Sequence, residues 1–321
     1  MKVLFLGGTR FTGLTLAESM AKAGHQVTVA SRHISQSNAS INQIQGERAE
    51  LLKCLQGCRF DIVFDFIAYS DIDVFEANRA IVAEQYILIS TTWLPRYVGL
   101  TDASTPISKI DLVFTEPLSE ITQRYLTGKA LAEDAVYKLR ALNNRATIVR
   151  LPVMTGTNDH TKRLHFYRSR FLDGGGLIIV DDYDHEIQVA TNIDLARVIH
   201  TWVEKYDVTS KEIWDALPPK TIIWSEFLEE LAAVDQTDAI FHVISRDRLD
   251  INMSKYLDAD PLWRERAISL SDANLFNHTG INTTPYRVWM SALEPIDTSI
   301  CDDILREKEL NFINNIQSES C

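Results

Sequence analysis

The chain has 321 residues, of which 45% are hydrophobic and 24% charged, and its formal net charge is −12 at pH 7. This length is enough to bury a large core in one or two domains. The acidic balance excludes nonspecific nucleic-acid binding, which needs clustered lysine and arginine, and it makes an anionic membrane an unfavourable partner. A small anionic ligand remains compatible, because a few backbone amides and local cations can hold one phosphate.

Targeting and cysteine patterns predict a cytoplasmic protein. The apolar run at residues 3–6 is too short for a signal peptide, and no apolar run approaches the ~18 residues that span a bilayer. The cysteines lack the spacing of zinc or redox pairs, so we expect free thiols in a reducing compartment. They are Cys54, Cys58, Cys301 and Cys321. The sequence shows no His-x-x-x-His set or dense cluster of histidines and acids, and we expect no metal site.

Apolar patterning alternates between strands and helices along the first half of the chain. Buried-strand runs occur at 2–6, 26–30, 41–45, 61–68, 85–90 and 145–151, and helical runs occupy 14–23, 48–55, 71–84 and 118–142. Strands separated by helices predict an α/β fold: a Rossmann-type doubly wound parallel sheet with helices on both faces.

The pattern changes after Pro152, where glycines cluster at 174–176 and strands become less regular. We expect residues 1–155 to form the Rossmann domain, with a return segment near 190–215 that contains a helix at 193–204. Residues 156–321 are expected to form mainly a smaller C-terminal, substrate-binding domain, with a polar amphipathic helix over about 302–316.

A glycine-rich loop follows the first strand and opens the first helix, and it reads Gly-Gly-Thr-Arg-Phe-Thr-Gly over 7–13. In this context glycines let the backbone approach a pyrophosphate, while the helix N-terminus supplies amide donors and a positive dipole end. The alternative is a tight strand-to-helix turn in another kind of α/β protein. We expect dinucleotide contacts from Gly7, Thr9, Arg10, Phe11, Thr12 and Gly13.

The second strand ends in Ala-Ser-Arg-His over residues 30–33. An NAD site usually places an acid here to bind the ribose 2′-hydroxyl. Ser31 can donate a hydrogen bond instead, and Arg32 can stack on adenine and meet a 2′-phosphate. We therefore favour NADP(H), with NAD(H) as the alternative cofactor. The competing interpretation is that Arg32 is a solvated loop cation.

Tyr125 and Lys129 are four residues apart and share one helical face. A nearby ammonium lowers the pKa of a tyrosine, which can then exchange a proton with a carbonyl or alcohol while nicotinamide exchanges hydride. The alternative is an aromatic and a lysine on a partly exposed helix. At the end of the preceding strand, Thr92 is the expected hydroxyl for polarising the substrate oxygen, Thr91 is its rival, and Ser90 is expected to face the cofactor.

With these motifs in order, the chain resembles the extended, atypical short-chain dehydrogenase/reductase family, the branch that holds NAD(P)-dependent nucleotide-sugar epimerases and dehydratases. Residues 7–13 match a variant subgroup with the loop Gly-Gly-Thr-Arg-Phe-x-Gly, and residues 45–48 resemble its Gly-Asp-Arg. The stretches 61–68, 149–156, 188–196 and 280–285 resemble further family segments. The resemblance implies that Tyr125 is the proton donor and acceptor, that Lys129 holds the nicotinamide ribose, and that Thr92 replaces the catalytic serine or threonine.

The same resemblance places Glu47 near the adenine, Ala68 beside the cofactor ribose and Pro152 near the nicotinamide. Two positions depart from the family pattern. Trp93 follows the threonine where 4,6-dehydratases carry an acid, which disfavours dehydration. Ile187 stands where many members hold the nucleotide diphosphate with an arginine. The alternative contacts for the nucleotide diphosphate are Arg163, His165, Arg168 and Arg170. The competing interpretation is that these residues belong to a solvated basic face.

The resemblance and its departures together favour NADPH-dependent reduction of a keto group on a nucleotide-activated sugar, a reaction of carbohydrate biosynthesis. Two alternatives stay open: a nucleotide-sugar epimerase that retains its nicotinamide, and a non-catalytic NADP-binding or regulatory protein. The expected partner is a small-molecule substrate, without nucleic acid or membrane. The helices at 71–84 and 118–142 are expected to form a homodimer interface, as is common in the family.

Overall fold

A computed structural model describes residues 1–34, 40–107, 112–115, 118–180, 185–245, 267–269, 271–296 and 303–319. The chain divides into two compact units. The first comprises Met1–Met154, Val189–Pro219 and Ile268–Thr283, and the second comprises Thr155–Gln188, Lys220–Ala267 and Thr284–Cys321. None of the helices within the described ranges is long and apolar enough to cross a membrane.

In the described part of the first unit, seven parallel strands form one sheet. They are β1 (Lys2–Leu6), β2 (Gln26–Ser31), β3 (Ile41–Gln45), β4 (Arg59–Asp65), β5 (Val82–Thr91), β6 (Ala146–Leu151) and β11 (Ile213–Asp215). Their spatial order is β11-β6-β5-β4-β1-β2-β3. The strand order reverses between β1 and β4, which is where doubly wound sheets bind ligands. The predicted Rossmann-type architecture is confirmed.

Helices cover both faces of this sheet. They are α1 (Phe11–Lys22), α2 (Arg48–Cys54), α3 (Asp71–Ala80), α4 (Trp93–Tyr97), α5 (Glu120–Ala141), α7 (Asn192–Lys205) and α9 (Leu275–Thr279); two short strands, β7 (Met154–Thr155) and β10 (Ala190–Thr191), lie between α5 and α7 in the chain. Three of these helices are capped at the N-terminus by a hydroxyl side chain that accepts a backbone N–H. The N-cap residues are Ser70 for α3, Ser119 for α5 and Thr191 for α7.

Alternate residues of the strands enter two separate cores. Val3 and Phe5 of β1 pack on one face with α1 and α7, where Trp202 is fully buried. Leu4 and Leu6 pack on the other face with α2, α3 and α5. Because both faces are buried, these strands read as continuous apolar runs and not as alternating ones, which explains why they were predictable.

Some predicted boundaries are wrong. The sequence pattern predicts a helix over 71–84, but α3 ends at Ala80, and Ile81 has extended φ and ψ of −112° and 134°. Val82 then begins β5 and pairs in register with Arg59. The predicted strand at 61–68 also stops early, at Asp65, because residues 66–68 turn into the loop beside the glycine motif. Cys54 and Cys58 are exposed free thiols, and Cys301 and Cys321 lie outside the described residues.

The second unit contains smaller sheets and four described helices. β8 (Leu177–Val180) pairs parallel with β13 (Phe241–Ile244), and β9 (Glu186–Ile187) pairs antiparallel with β12 (Ile222–Ile223). The helices are α6 (Arg163–Leu172), α8 (Trp224–Val234), α10 (Tyr286–Met290) and α11 (Asp303–Glu319). Aromatic contacts hold this unit together, including an edge-to-face contact between Tyr167 and Trp224 with ring centres 6.2 Å apart.

Candidate active site

The cofactor residues expected from the sequence lie at the carboxyl ends of the parallel strands, which share one edge of the sheet. Successive strand ends carry Gly7 after β1, Ser31 at the end of β2, Glu47 after β3, Ala68 after β4, Ser90 near the end of β5 and Pro152 after β6. In sheets of this kind the ligand binds beyond this edge, at the point where strand order reverses. The fold therefore brings residues from six separate segments to one edge.

The glycine loop makes a turn that larger residues do not allow. Gly7 and Gly8 have φ of +82° and +86°, a backbone region that favours glycine. A Cβ on Gly13 would lie only 2.4 Å from the Gly8 Cα, so the third glycine allows close packing of α1 on the loop. These features fit the pyrophosphate of a dinucleotide.

Arg10 stands where the usual loop has its middle glycine. Its φ of −137° is extended and is open to any residue, and its side chain does not cap the first turn of α1 in the described structure. The amide groups of a helix start and the positive end of the helix dipole are suited to an anion. Arg10 is exposed and adds a positive charge beside them.

At the end of β2, Ser31 contacts the glycine loop directly. The Ser31 Oγ and Thr9 Oγ1 atoms are 3.2 Å apart and share a hydrogen bond. The Arg32 side chain is exposed, and its backbone oxygen accepts a hydrogen bond from Gln45 Nε2 at 3.1 Å. Glu47 caps α2, since its carboxylate accepts the backbone N–H of Glu50 in a capping box. The predicted contact of Glu47 with the adenine stays a prediction.

Lys129 is buried, with 3% of its surface exposed, although it carries a charge. Its Nζ donates to Ala68 O at 3.0 Å and to Ile89 O at 2.8 Å, and thereby joins α5 to the ends of β4 and β5. Burial lowers the pKa of Lys129 to about 8, against the opposing attraction of Asp65. An ammonium has three N–H groups, so two of them are used by the backbone.

Tyr69 is a residue of this site that the sequence patterns missed. Its ring lies 4.4 Å from Lys129 Nζ in a cation–π contact and 6.1 Å, centre to centre, from the ring of Tyr125. Tyr125 is half-buried on α5, one turn before Lys129. Tyr69 directly follows the alanine at the end of the predicted strand, and an aromatic at that point was the available signal.

Gly128, the residue before Lys129, allows α5 to lie close to the loop after β4. A Cβ there would lie 2.4 Å from the backbone oxygen of Tyr69. A glycine in the middle of a helix costs roughly 1 kcal/mol relative to alanine. Here it allows the close approach of helix and loop that brings Lys129 Nζ to the strand ends.

The hydroxyl groups at the end of β5 have different surroundings. Thr92 is buried, and its Oγ1 donates to Leu151 O at 3.4 Å. Thr91 Oγ1 accepts the backbone N–H of Trp93 at 3.2 Å, which commits it to the start of α4. Ser90 Oγ is buried and has no hydrogen-bond partner among the described residues. A buried hydroxyl of this kind is suited to a ligand polar group.

A polar network beneath the strand ends was not foreseen. Asp65 is fully buried and accepts hydrogen bonds from Arg48 at 3.1 and 2.7 Å and from Tyr86 Oη at 2.8 Å. Arg48 also donates to Asp73 O at 2.7 Å. Burial, followed by the Asp65 charge, raises the pKa of Tyr86 well above its usual range. The network ties α2 and α3 to the end of β4.

A second buried pair anchors α5. Arg150 of β6 and Glu133 of α5 are both fully buried and join through two hydrogen bonds of 3.0 and 2.6 Å. Arg150 Nη1 also donates to Ala103 O at 2.9 Å and Thr105 O at 2.8 Å. One arginine thus connects β6, α5 and the segment after α4.

The alternative phosphate-binding cations lie in the second unit. Arg168 pairs with Asp235 through contacts of 2.6 and 2.5 Å, and Arg170 pairs with Glu309 at 2.9 Å. Both arginines are buried, so the interpretation as a solvated basic face is wrong for them. Ile187 lies fully buried in β9. Arg163 is held near Asp159 at 3.4 Å, and His165 is half-buried on α6.

Solved structures with the same fold include UDP-glucuronic acid 4-epimerase from Bacillus cereus in complex with NAD, which is 16% identical with a TM-score of 0.65 over 91% of this chain and 95% of that one. The dTDP-glucose 4,6-dehydratase from Bacillus anthracis str. Ames, in complex with NAD, is 14% identical with a TM-score of 0.64 over 91% and 94%. UDP-N-acetylglucosamine 4-epimerase from Bacillus cereus is 13% identical with a TM-score of 0.61 over 91% and 97%. No curated protein matches this sequence.

Sequence similarity at the family level covers most of the first unit and the first segment of the second. The model of a family described as NAD dependent epimerase/dehydratase matches residues 3–216, which is well over half of the chain. The match runs from β1 through β11 and includes the glycine loop and the Tyr125–Lys129 pair. The resemblance inferred from the motifs is thereby confirmed. The chain belongs to the NAD dependent epimerase/dehydratase family.

Proposed function

We propose that the protein is an NADP(H)-dependent oxidoreductase that reduces a keto group on a nucleotide-activated sugar. The observation that carries this proposal is the arrangement around Lys129, which lies between two strand ends with Tyr125 one turn away on the same helix. The substrate class is supported by the related folds, which include enzymes named for UDP- and dTDP-sugars.

In the proposed reaction a bound nicotinamide supplies the hydride. Tyr125 gives its phenolic proton to the substrate carbonyl oxygen, so that hydride and proton together convert the ketone to an alcohol. The positive charge of Lys129 favours the phenolate that remains. Thr92 would turn its one hydroxyl proton from Leu151 O to the same oxygen, and the glycine loop would hold the pyrophosphate against the start of α1.

NADP(H) is favoured for reasons of charge. The end of β2 offers the hydroxyl of Ser31 and the exposed guanidinium of Arg32, without an acid that would repel a 2′-phosphate. Bidentate contact with phosphate is a strength of arginine. The solved structures with a similar fold carry NAD, so NAD(H) is the competing cofactor.

A nucleotide-sugar epimerase is the second candidate, because the same tyrosine and lysine serve oxidation and re-reduction of one carbon, and epimerases are among the related folds. The two candidates differ in cofactor balance. A reductase consumes NADPH in proportion to product, whereas an epimerase turns over without net consumption. A non-catalytic NADP-binding role predicts turnover of neither kind.

The test combines cofactor identification with a substrate panel. Mass spectrometry of the dinucleotide released from the purified protein identifies the cofactor, and a panel of UDP- and dTDP-sugars and their keto forms is then followed by nicotinamide absorbance and NMR. Tyr125→Phe is expected to lower turnover about 10²- to 10⁴-fold. Tyr137→Phe is the matched control on α5, because its hydroxyl has no hydrogen-bond partner in the described ranges. Full activity of Tyr125→Phe would contradict the proposal.

We also propose that the protein forms a homodimer through α3 and α5. Each helix exposes an isoleucine, with 62% of Ile72 and 83% of Ile121 accessible, and buried apolar side chains are what a helical interface requires. Light scattering is expected to give twice the chain mass for the unaltered protein and one chain mass for Ile72→Glu/Ile121→Glu.

A further inference from the structure

Two histidines and a glutamate meet at the end of the sheet opposite the glycine loop. His25 directly precedes β2, and His200 and Glu204 lie one turn apart on α7. The Glu204 Oε1 atom is 3.0 Å from His25 Nε2 and 3.3 Å from His200 Nε2. Ligand atoms of the three residues all lie within 4.8 Å of one another.

These separations suit a tetrahedral ion. Zinc binds histidine nitrogen and carboxylate oxygen at about 2.0–2.2 Å, which places neighbouring ligand atoms roughly 3.3–3.5 Å apart in a tetrahedron. The two contacts to Glu204, 3.0 and 3.3 Å, are close to this spacing. The widest separation among the three ligand atoms is within 4.8 Å, so binding the ion needs side-chain shifts of up to about 1 Å. Three protein ligands leave a fourth position for water.

The Nδ1 atom of His200 makes a hydrogen bond, as the nitrogen that faces away from the ion usually does in a metal-bound histidine. His200 Nδ1 shares a hydrogen bond of 2.8 Å with Ser19 Oγ on α1. His200 Nε2 is buried and has no hydrogen-bond partner within the described structure, and Glu204 Oε1 lies 3.3 Å from it. A histidine fixed through one nitrogen, with the other aimed at a carboxylate and a second imidazole, matches the usual outer contact of metal-bound histidine.

Ligand chemistry selects the class of ion. Two imidazole nitrogens and one carboxylate favour Zn²⁺, Ni²⁺ or Cu²⁺ over Mg²⁺ and Ca²⁺, which prefer oxygen ligands. We propose that His25, His200 and Glu204 form a site for a divalent transition-metal ion, with zinc as the expected occupant. The ion would join the α1–β2 turn to α7.

The sequence pattern predicts no metal site because the ligands are distant in the chain. His200-x-x-x-Glu204 supplies two ligands with the spacing of one helical turn. The third ligand, His25, lies near the start of the sequence, far from these two along the chain. Only the packing of α1 beside α7 on one sheet face brings His25 to them. The site is separate from the proposed active site, which lies at the opposite edge of the sheet.

Metal content tests the proposal. Tag-free full-length protein is treated with chelator and titrated with Zn²⁺, and stoichiometry and affinity are measured by calorimetry and elemental analysis. One zinc per chain is expected, with affinity lowered at least 100-fold in His25→Ala and His200→Ala and about 10- to 100-fold in Ser19→Ala. Cys54→Ser/Cys58→Ser is the control, because these exposed thiols are the competing zinc ligands, and it is expected to bind zinc as the unaltered protein does.

A measurement on the unaltered protein keeps the test independent of variant folding. Co²⁺-loaded protein is expected to show visible absorption of a tetrahedral ion, and X-ray absorption of the zinc form is expected to show imidazole scattering. The proposal is overturned if no zinc is retained, if the histidine variants bind it as tightly as the unaltered protein, or if the zinc shell contains sulfur without imidazole. Glu204 would then serve as a shared ion-pair partner of the two histidines.

Discussion

The Lys129 ammonium lies 4.4 Å from the centre of the Tyr69 ring. Two backbone oxygens and one aromatic face therefore surround a charge that is almost entirely removed from water. Water would solvate the cation better than these groups do, and the pKa of Lys129 falls to about 8 for that reason. The charge proposed to assist Tyr125 is thus titratable close to neutral pH.

The buried charge of Lys129 should make stability depend on pH. Its pKa is about 8 in the folded protein, against the usual lysine value of 10.5, so between these values the unfolded chain holds more protons and rising pH favours the folded state. The free energy of unfolding of the unaltered protein, relative to Lys129→Met, should therefore rise by about 2 kcal/mol from about pH 7.5 to about 9.5. Urea denaturation of both proteins measures this difference. A difference that falls, or stays constant, would contradict the burial of a charged Lys129.

Local patterns in the sequence were sufficient to predict the strands of the sheet. They were not sufficient to predict the buried polar contacts below the strand ends. Residues 3–6 read as a strand because burial on both faces leaves an unbroken apolar run. By contrast, Asp65 and Arg48 come together only through the pairing of β4 with β1 and the position of α2. Such contacts depend on tertiary packing, which carries no periodic signal. The helix end at Ala80 was missed for a related reason, since Val82 is in β5 because of its pairing with β4.

The buried pair of Arg150 and Glu133 should couple strongly. Removing one partner leaves an unpaired buried charge, so Glu133→Leu and Arg150→Met are each expected to cost about 3–5 kcal/mol. The double variant should cost less than their sum by at least about 2 kcal/mol. It should not recover fully, because Ala103 O and Thr105 O also lose their donor.

An exposed pair provides the control for this cycle. Arg145 and Asp207 are 2.9 Å apart, and their side chains are 53% and 55% exposed. Their coupling energy should be below about 1 kcal/mol. Equal coupling energies in the two cycles, measured by urea unfolding, would show that burial of the Arg150–Glu133 pair does not set its strength.

Gly128→Ala tests the close contact between α5 and the loop after β4. The new methyl group would lie 2.4 Å from Tyr69 O, so helix and loop must separate, at a cost of about 1–3 kcal/mol. Because Lys129 reaches Ala68 O from the next position, dinucleotide affinity should fall as well. Thr127→Ala, the half-buried neighbour on the same helix, is the control and should change both quantities little. Unchanged stability in Gly128→Ala would mean that the helix does not need this approach.

Arg32→Gln tests cofactor choice at the end of β2. If the guanidinium binds the 2′-phosphate, its removal loses a charged hydrogen bond of about 1.5–3 kcal/mol, and the NADP(H) dissociation constant should rise about 10- to 100-fold. The NAD(H) constant should change little, since that cofactor has only a hydroxyl at the same place. Arg59→Gln removes an exposed arginine at the opposite end of the sheet and should affect neither constant. Fluorescence titration of all three proteins with both cofactors measures the six dissociation constants. Equal weakening of NAD(H) and NADP(H) by Arg32→Gln would assign the arginine to adenine stacking, because both cofactors share that ring, and the preference for NADP(H) would then lack its physical basis.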